Sequence, residues 1–222
     1  MKLTIFAATG GIGRQLLEQA VAEGHDVTAV VRNPNKLSSR PARILTADLT
    51  NPDPAAIESA VAGADAVLSG LGPRSNAEAG IATQGTRAIV AAMQATDVRR
   101  IVVVSAAPIG TVASPGRPKP PKHDPGDGFL MRNLLSPLGK AALRKVFADL
   151  ARMEDILRDS GLDWTVVRPP RLTDKPLTRT YRTAYGQNLR RGLLVSRADV
   201  ANLMLRVLQQ PETIQQTIGI AN

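Results

Sequence analysis

The sequence predicts an α/β fold, a doubly wound parallel sheet forming a single domain over residues 1–222, and three observations point there. Short apolar runs alternate with stretches of helical periodicity along the chain; the first run breaks into a glycine turn; and later runs end in glycine, serine or charged residues suited to one shared edge. At 222 residues there is enough chain for one sizeable core and too little for two comfortable ones. Hydrophobic residues make up 43% and aromatic residues 3%, so Val, Ile, Leu and Ala must build that core.

The first element is Leu3-Thr-Ile-Phe-Ala-Ala-Thr-Gly-Gly-Ile-Gly13. An apolar strand stops at Thr9, three glycines follow by Gly13, and Gln15 to Val21 reads as helix. Strand, tight turn and helix in that order offer backbone N–H groups and a positive helix end to a phosphate. Thr9, Gly10, Gly11, Ile12 and Gly13 are therefore candidate phosphate contacts. The usual dinucleotide fingerprint would place a further glycine at Ala8, or at Ala7 in its variant, so the motif alone also fits an ordinary strand-to-helix turn. Met1 to Phe6 leads directly into this turn and is read as the first strand, not as a leader.

Gly24 closes the first helix, and Val27 to Val31 is the second strand, ending at Arg32 with Lys36 four residues on. In dinucleotide folds a carboxylate at this strand end bonds a free ribose 2′-hydroxyl, whereas arginine accepts a 2′-phosphate. Arg32 and Lys36 thus argue for NADP(H) over NAD(H); a solvated basic turn is the competing reading. Arg43 to Ala47 is a third strand ending at Asp48, which could accept the adenine amino group or cap its own turn. Asn51 to Val61 opens with turn residues and continues as a helix. Ala64 to Ser69 is the fourth strand; it runs into Gly70, Leu71 and Gly72, with Arg74 placed to meet a phosphate, an anionic substrate or only solvent. After a helix from about Ala79 through Ala95, Arg100 to Ser105 is the most β-rich run and so the predicted central strand.

Residues 106–140 read as a loop or lid insertion, because Pro115 to Gly126 is dense in proline and lacks periodicity. Phe129 to Met131 and Leu134–Leu135 restore apolar character, and a long helix is expected from about Lys140 to Arg158. Leu162 to Arg168 is the sixth strand, ended by Pro169 and Pro170, a rigid pair suited to walling a flat ring. Tyr181 and Tyr185 lie in a polar stretch with candidate short strands, Arg197 to Leu208 is an amphipathic helix capped near Ser196, and Thr217 to Ala221 is a candidate last strand. Six strands alternating with helices place Gly10, Arg32, Asp48, Gly70, Ser105 and Pro169 at one set of strand ends, where such a Rossmann-like sheet binds its ligand.

Absence of cysteine excludes disulfides, thiolate metal sites and cysteine nucleophiles, no metal site is indicated, and the composition fits a cytoplasmic protein. No run of about 18 apolar residues is present to span a membrane. The net charge of +9 raises nucleic acid as a partner, but the Lys and Arg residues are scattered and do not interleave with aromatics. A basic surface with a pocket for anionic ligands is the preferred account.

Taken in order, Ala7 to Gly13, Val31–Arg32 with Lys36, Asp65 to Gly72 with Arg74, Gly85 to Met93, Arg152–Met153, Ser160-Gly-Leu162, Pro169–Pro170 and Pro176-Leu-Thr178 with Tyr181 resemble an atypical short-chain dehydrogenase/reductase. More narrowly, the chain is similar to the biliverdin reductase B/flavin reductase-like (NmrA-like) NAD(P)H-binding proteins over nearly its whole length. The resemblance implies NADPH over the glycine turn, with Arg32 and Lys36 at its 2′-phosphate, Asp48 and Leu49 near adenine, Leu71, Gly72 and Arg74 along the phosphate-to-ribose path, and Ser105 beside the nicotinamide. It also implies hydride transfer to flavins, tetrapyrroles, quinones or related conjugated acceptors.

Three departures bear on the reaction. Val146 and Leu150 stand where typical short-chain dehydrogenases carry a Tyr-x-x-x-Lys pair, Ala106 replaces a second serine, and Leu150 also replaces the histidine of biliverdin reductase B. Alcohol–ketone chemistry needs a positioned proton donor, so a flat conjugated acceptor is expected instead. Ser105 would then orient the nicotinamide, Pro169 and Pro170 wall the acceptor, and Arg171 or Tyr181 stabilise developing charge. The alternative is a non-catalytic NADP(H)-binding redox-sensing regulator. A monomer or homodimer is expected in either case.

Overall fold

The structure, a computed structural model, describes residues 1–37, 39–128, 139 and 141–222. Strands β1 (Lys2–Phe6), β2 (Asp26–Val31), β3 (Arg43–Thr46), β4 (Ala66–Ser69), β5 (Arg100–Val104), β6 (Asp163–Arg168), β8 (Arg182–Tyr185) and β10 (Gln216–Ala221) form one sheet in the order 3-2-1-4-5-6-10-8. All pairings are parallel save the last, where β8 runs antiparallel to β10. Strands β7 (Arg171–Thr173) and β9 (Leu194–Ser196) make a separate parallel ribbon. The expected α/β sheet is present, with eight strands in place of six; the additions are the last strand, β10, and the β8 edge.

Strand alternation divides the core into two layers. Phe6, Val30, Val67, Ile101, Val103 and Val166 face α2 (Pro54–Val61), α3 (Ile81–Ala95) and α4 (Arg144–Asp159). Ile5, Ala29, Val31, Leu68, Val102 and Val167 face α1 (Gly11–Ala22) and α5 (Arg197–Arg206). β5 lies between β4 and β6 with Ile101 to Val104 buried, as its unbroken apolar run predicts. The strand order reverses between β1 and β4, which opens a crevice above their C-terminal ends.

Two helices are fixed at their N-termini by side chains from elsewhere. The Asp149 carboxylate on α4 accepts the Ala82 and Thr83 N–H groups of α3 at 3.0 Å each. Asn76 Oδ1 accepts the Lys145 and Val146 N–H groups of α4 at 3.2 and 3.4 Å. Helix α4 begins at Arg144, later than its apolar pattern suggests; Lys140 and the Phe129–Met131 and Leu134–Leu135 runs lie outside the described residues.

The described part of the 106–140 segment packs on the sheet flank and contributes only Ala106 to the crevice. Ala107 donates its N–H to the Pro169 carbonyl at 2.9 Å, and residues 107–111 form a short turn. Ser114 Oγ and the Gly116 N–H then bond Asp155 on α4 at 2.9 and 3.0 Å, and Asp124 accepts the Asn188 N–H at 2.8 Å. These anchors hold the loop beside β6 and β10, around a second hollow of about 310 Å³ lined by Arg117, Trp164, Arg168 and Thr217.

Candidate active site

A cleft of about 650 Å³ occupies the crevice above β1 and β4. Its floor is the turn between β1 and α1. Gly10 N–H returns to the Ala7 carbonyl at 2.8 Å, and Ala7 takes a left-handed φ of 57°. A Cβ on Gly13 would stand 2.0 Å from the Ala7 oxygen, so glycine alone lets α1 start this close to the strand end. Gly10 caps α1 with no side-chain bond, leaving the N–H groups of the first turn to a ligand. A dinucleotide's pyrophosphate fits such a cradle.

Thr9, Gly10, Gly11, Ile12, Arg32, Leu49, Gly70, Leu71, Gly72, Arg74 and Ser105 all line the cleft. Gly13 lies beneath the turn, and Lys36, on the exposed 34–36 turn, does not reach the lining. Asp48 is also outside it; its Oδ1 accepts the Thr50 N–H and hydroxyl at 3.0 and 2.8 Å. Those two bonds, with a smaller contribution from Arg32, hold the Asp48 carboxyl below the usual range, as a turn cap would.

Ser105, at the end of β5, has a defined polarity. Its hydroxyl donates to Glu154 Oε1 at 2.7 Å, and Arg168 Nε donates to the same oxygen at 2.9 Å. Glu154 and Arg168 are both buried, and Arg168 Nη2 closes a two-point pair with Glu154 Oε2. With its proton given to Glu154, Ser105 keeps lone pairs for the cleft. It can accept a hydrogen bond there, as from a carboxamide N–H₂, but not donate one.

The far wall is apolar. Val146, Phe147 and Leu150 on α4, with Leu143 before them and Leu172 on β7, line it. The positions expected to lack the Tyr and Lys of typical short-chain dehydrogenases do face the cleft, and they present only hydrocarbon. Among the described lining residues Glu78 is the one carboxylate, against Arg32, Arg74 and Arg197. Glu78 accepts the Arg74 N–H at 2.8 Å. The surplus of positive charge suits a phosphate-rich ligand.

Four further expected residues stand elsewhere. Tyr181 packs on α5, its hydroxyl donating to Asn202 Oδ1 at 2.9 Å and accepting from Arg206 at 3.3 Å. Burial pushes its phenol upward, and nothing directs it into the cleft. Arg171 is exposed at the start of β7. Pro169 is buried and Pro170 half-buried, and neither lines the cleft; the flat wall assigned to them is made instead by Phe147, Leu150 and Leu172. Phe147 had a readable signal, the 143, 146, 147, 150 helical stripe. Arg197 had none, being brought in from 186 residues beyond Gly11 by the packing of α5 on α1.

The chain belongs to the NAD(P)H-binding family, whose profile matches residues 7–211. Three solved structures place its fold. A short-chain dehydrogenase/reductase from Veillonella parvula in complex with NADP shares 19% identity at a TM-score of 0.76, covering 100% of this chain and 94% of that one. SP1627, a putative NADH-flavin reductase from Streptococcus pneumoniae TIGR4, shares 24% at 0.74, covering 100% and 99%. ChuY, an anaerobillin reductase from Escherichia coli O157:H7, shares 23% at 0.75, covering 100% and 97%.

Proposed function

We propose that this protein is an NADPH-dependent oxidoreductase acting on a flat conjugated acceptor such as a flavin, a quinone or a related polycycle. The observation that carries the reading is the cleft itself, cationic and glycine-lined at one end and walled by Val146, Phe147 and Leu150 at the other. Bound there, the cofactor's nicotinamide supplies a hydride. Arg32 would take the 2′-phosphate, the first turn of α1 with Arg74 the phosphates, and Leu49 and Leu71 the adenosine side. Ser105, fixed by Glu154, would accept from the carboxamide and set the ring's orientation.

The apolar wall supports this acceptor class. With no side chain among the described residues of that wall able to protonate an alkoxide, the acceptor would hold charge by delocalisation and draw its proton from solvent. Stacking, water exclusion and positive potential are what these residues provide. SP1627, named a putative NADH-flavin reductase, and ChuY, named an anaerobillin reductase, are in keeping with such an acceptor. The same wall also fits an NADP(H)-binding redox-sensing regulator, and one assay separates the two. Purified protein given NADPH and excess FMN or a quinone should discharge the nicotinamide absorbance; tight binding without oxidation across such acceptors would establish the regulator instead. Arg32→Ala should lose about 1.5–3 kcal/mol of NADPH binding while NADH binding is unchanged; equal losses would remove the 2′-phosphate assignment. A cytoplasmic monomer or homodimer is part of the same proposal; among the described residues no helix is long and apolar enough to cross a membrane.

A further inference from the structure

Arg197 is the first residue of α5, and its side chain lies across the start of α1. A Cβ on Gly11 would stand 2.7 Å from Arg197 Nε and 2.8 Å from its Cδ, so the guanidinium stem occupies the space that the bare Gly11 leaves. Its backbone is held firmly. Ser196 caps α5 by accepting the Asp199 N–H at 2.9 Å, and Gln19 on α1 donates to the Ala198 carbonyl at 2.9 Å, tying the two helices together. Among the described residues the guanidinium itself is held at the rim, where Nη1 meets Asp174 Oδ1 at 2.7 Å. Asp174 is 84% exposed, so water screens that pair and it is a weak hold.

We propose that Arg197 is a second cationic clamp on the dinucleotide's pyrophosphate, delivered by the C-terminal helix and kept beside the glycine turn by Asp174 until a phosphate oxygen takes its place. The assignment rests on the dinucleotide reading above and adds a residue to it. The guanidinium lies next to the open N–H groups of α1, and Arg74 comes from the β4 side of the same cleft. A doubly negative pyrophosphate between them would meet an arginine on either side and backbone donors below. The 2′-phosphate is assigned above to Arg32, which follows β2, so the two arginines make different predictions.

The test measures binding of NADPH, NADH and adenosine 2′-monophosphate to wild type, Arg197→Ala and Arg197→Lys, with unliganded melting as the check on folding. Arg197→Ala should weaken NADPH and NADH by the same factor, about 10- to 100-fold, the range for a charge-assisted hydrogen bond. It should leave adenosine 2′-monophosphate, which lacks the pyrophosphate, unaffected, and Arg197→Lys should fall between. Unchanged dinucleotide affinity in a folded Arg197→Ala protein overturns the clamp and leaves a rim ion pair. Unchanged dinucleotide affinity with a raised KM for FMN but not for riboflavin also overturns it, giving the guanidinium to the acceptor's phosphate. Failure of wild type to bind either dinucleotide removes the parent reading as well.

Discussion

Ala7 shows how much one residue of the turn reveals. It stands where a variant of the dinucleotide fingerprint carries glycine, and it adopts the left-handed φ of 57° that glycine takes without strain. For an L-residue that conformation costs about 1–2 kcal/mol, partly offset by the greater freedom glycine has in the unfolded chain. Ala7→Gly should therefore stabilise the protein by up to about 1 kcal/mol, read as a raised urea midpoint at constant slope; a lowered midpoint would mean that the Cβ packs better than its strain costs. The departure from the fingerprint lies in the side chain, while the backbone still follows the glycine path. Ser105 gives a complementary lesson. Its place at a strand end is legible in the sequence, but its hydrogen-bond polarity is not, because Glu154 and Arg168 come from other elements.

At the scale of elements, the start of α3 depends on one carboxylate carried by α4. Asp149 accepts two N–H groups of the first turn of α3 and the Thr83 hydroxyl. Gly80 at the N-cap of α3 has no side chain to do this, so the cap comes from a neighbouring helix. Asp149→Ala leaves those donors buried or half-buried without a partner and should cost about 2–4 kcal/mol in denaturant unfolding. A loss under about 1 kcal/mol would show that water replaces the carboxylate. Elements with long apolar runs, β1, β2, β5 and β6, were readable because each run exceeds the length at which burial outweighs local preference. The three-residue strands β7 and β9 were not, since so short a pairing exists only once tertiary contacts bring it together. The proline-rich loop was legible as a loop. Its anchors on Asp155 and Asn188 were not, for they are set by side chains distant in sequence.

For the whole molecule, Asp199 joins segments of the last third of the chain. Completely buried, it accepts the Thr178 and Arg179 N–H groups at 2.9 Å each, and the Thr178 and Ser196 hydroxyls at 3.0 and 2.8 Å. These bonds also hold Arg179 at a left-handed φ of 58°. Burial alone would raise the Asp199 carboxyl, but the hydrogen bonds from Ser196, Thr178 and Arg179 outweigh it and the net displacement is downward. The ionised form therefore stabilises the fold. Its contribution is complete above the unfolded carboxylate range near pH 4 and fades as pH falls through the lower folded value. Asp199→Asn should lose about 2–4 kcal/mol at neutral pH, with the gap to wild type narrowing below about pH 4; a gap independent of pH would exclude a role for the charge.

The order of the sheet decides which strands present an open backbone edge. Its outer strands, β3 and β8, are four residues each, and each begins with an arginine, Arg43 and Arg182. Arg43 donates to the Ser59 hydroxyl of α2 at 2.9 Å and Arg182 to the Asn222 carbonyl beyond β10 at 3.2 Å, so each guanidinium is held close to its own strand. An edge this short, with a cation at its head, exposes few free backbone donors and sets like charges against each other when two molecules approach strand to strand. A sheet with open edges carries an inherent hazard of edge-to-edge polymerisation, and short outer strands headed by arginine are the kind of edge that works against it.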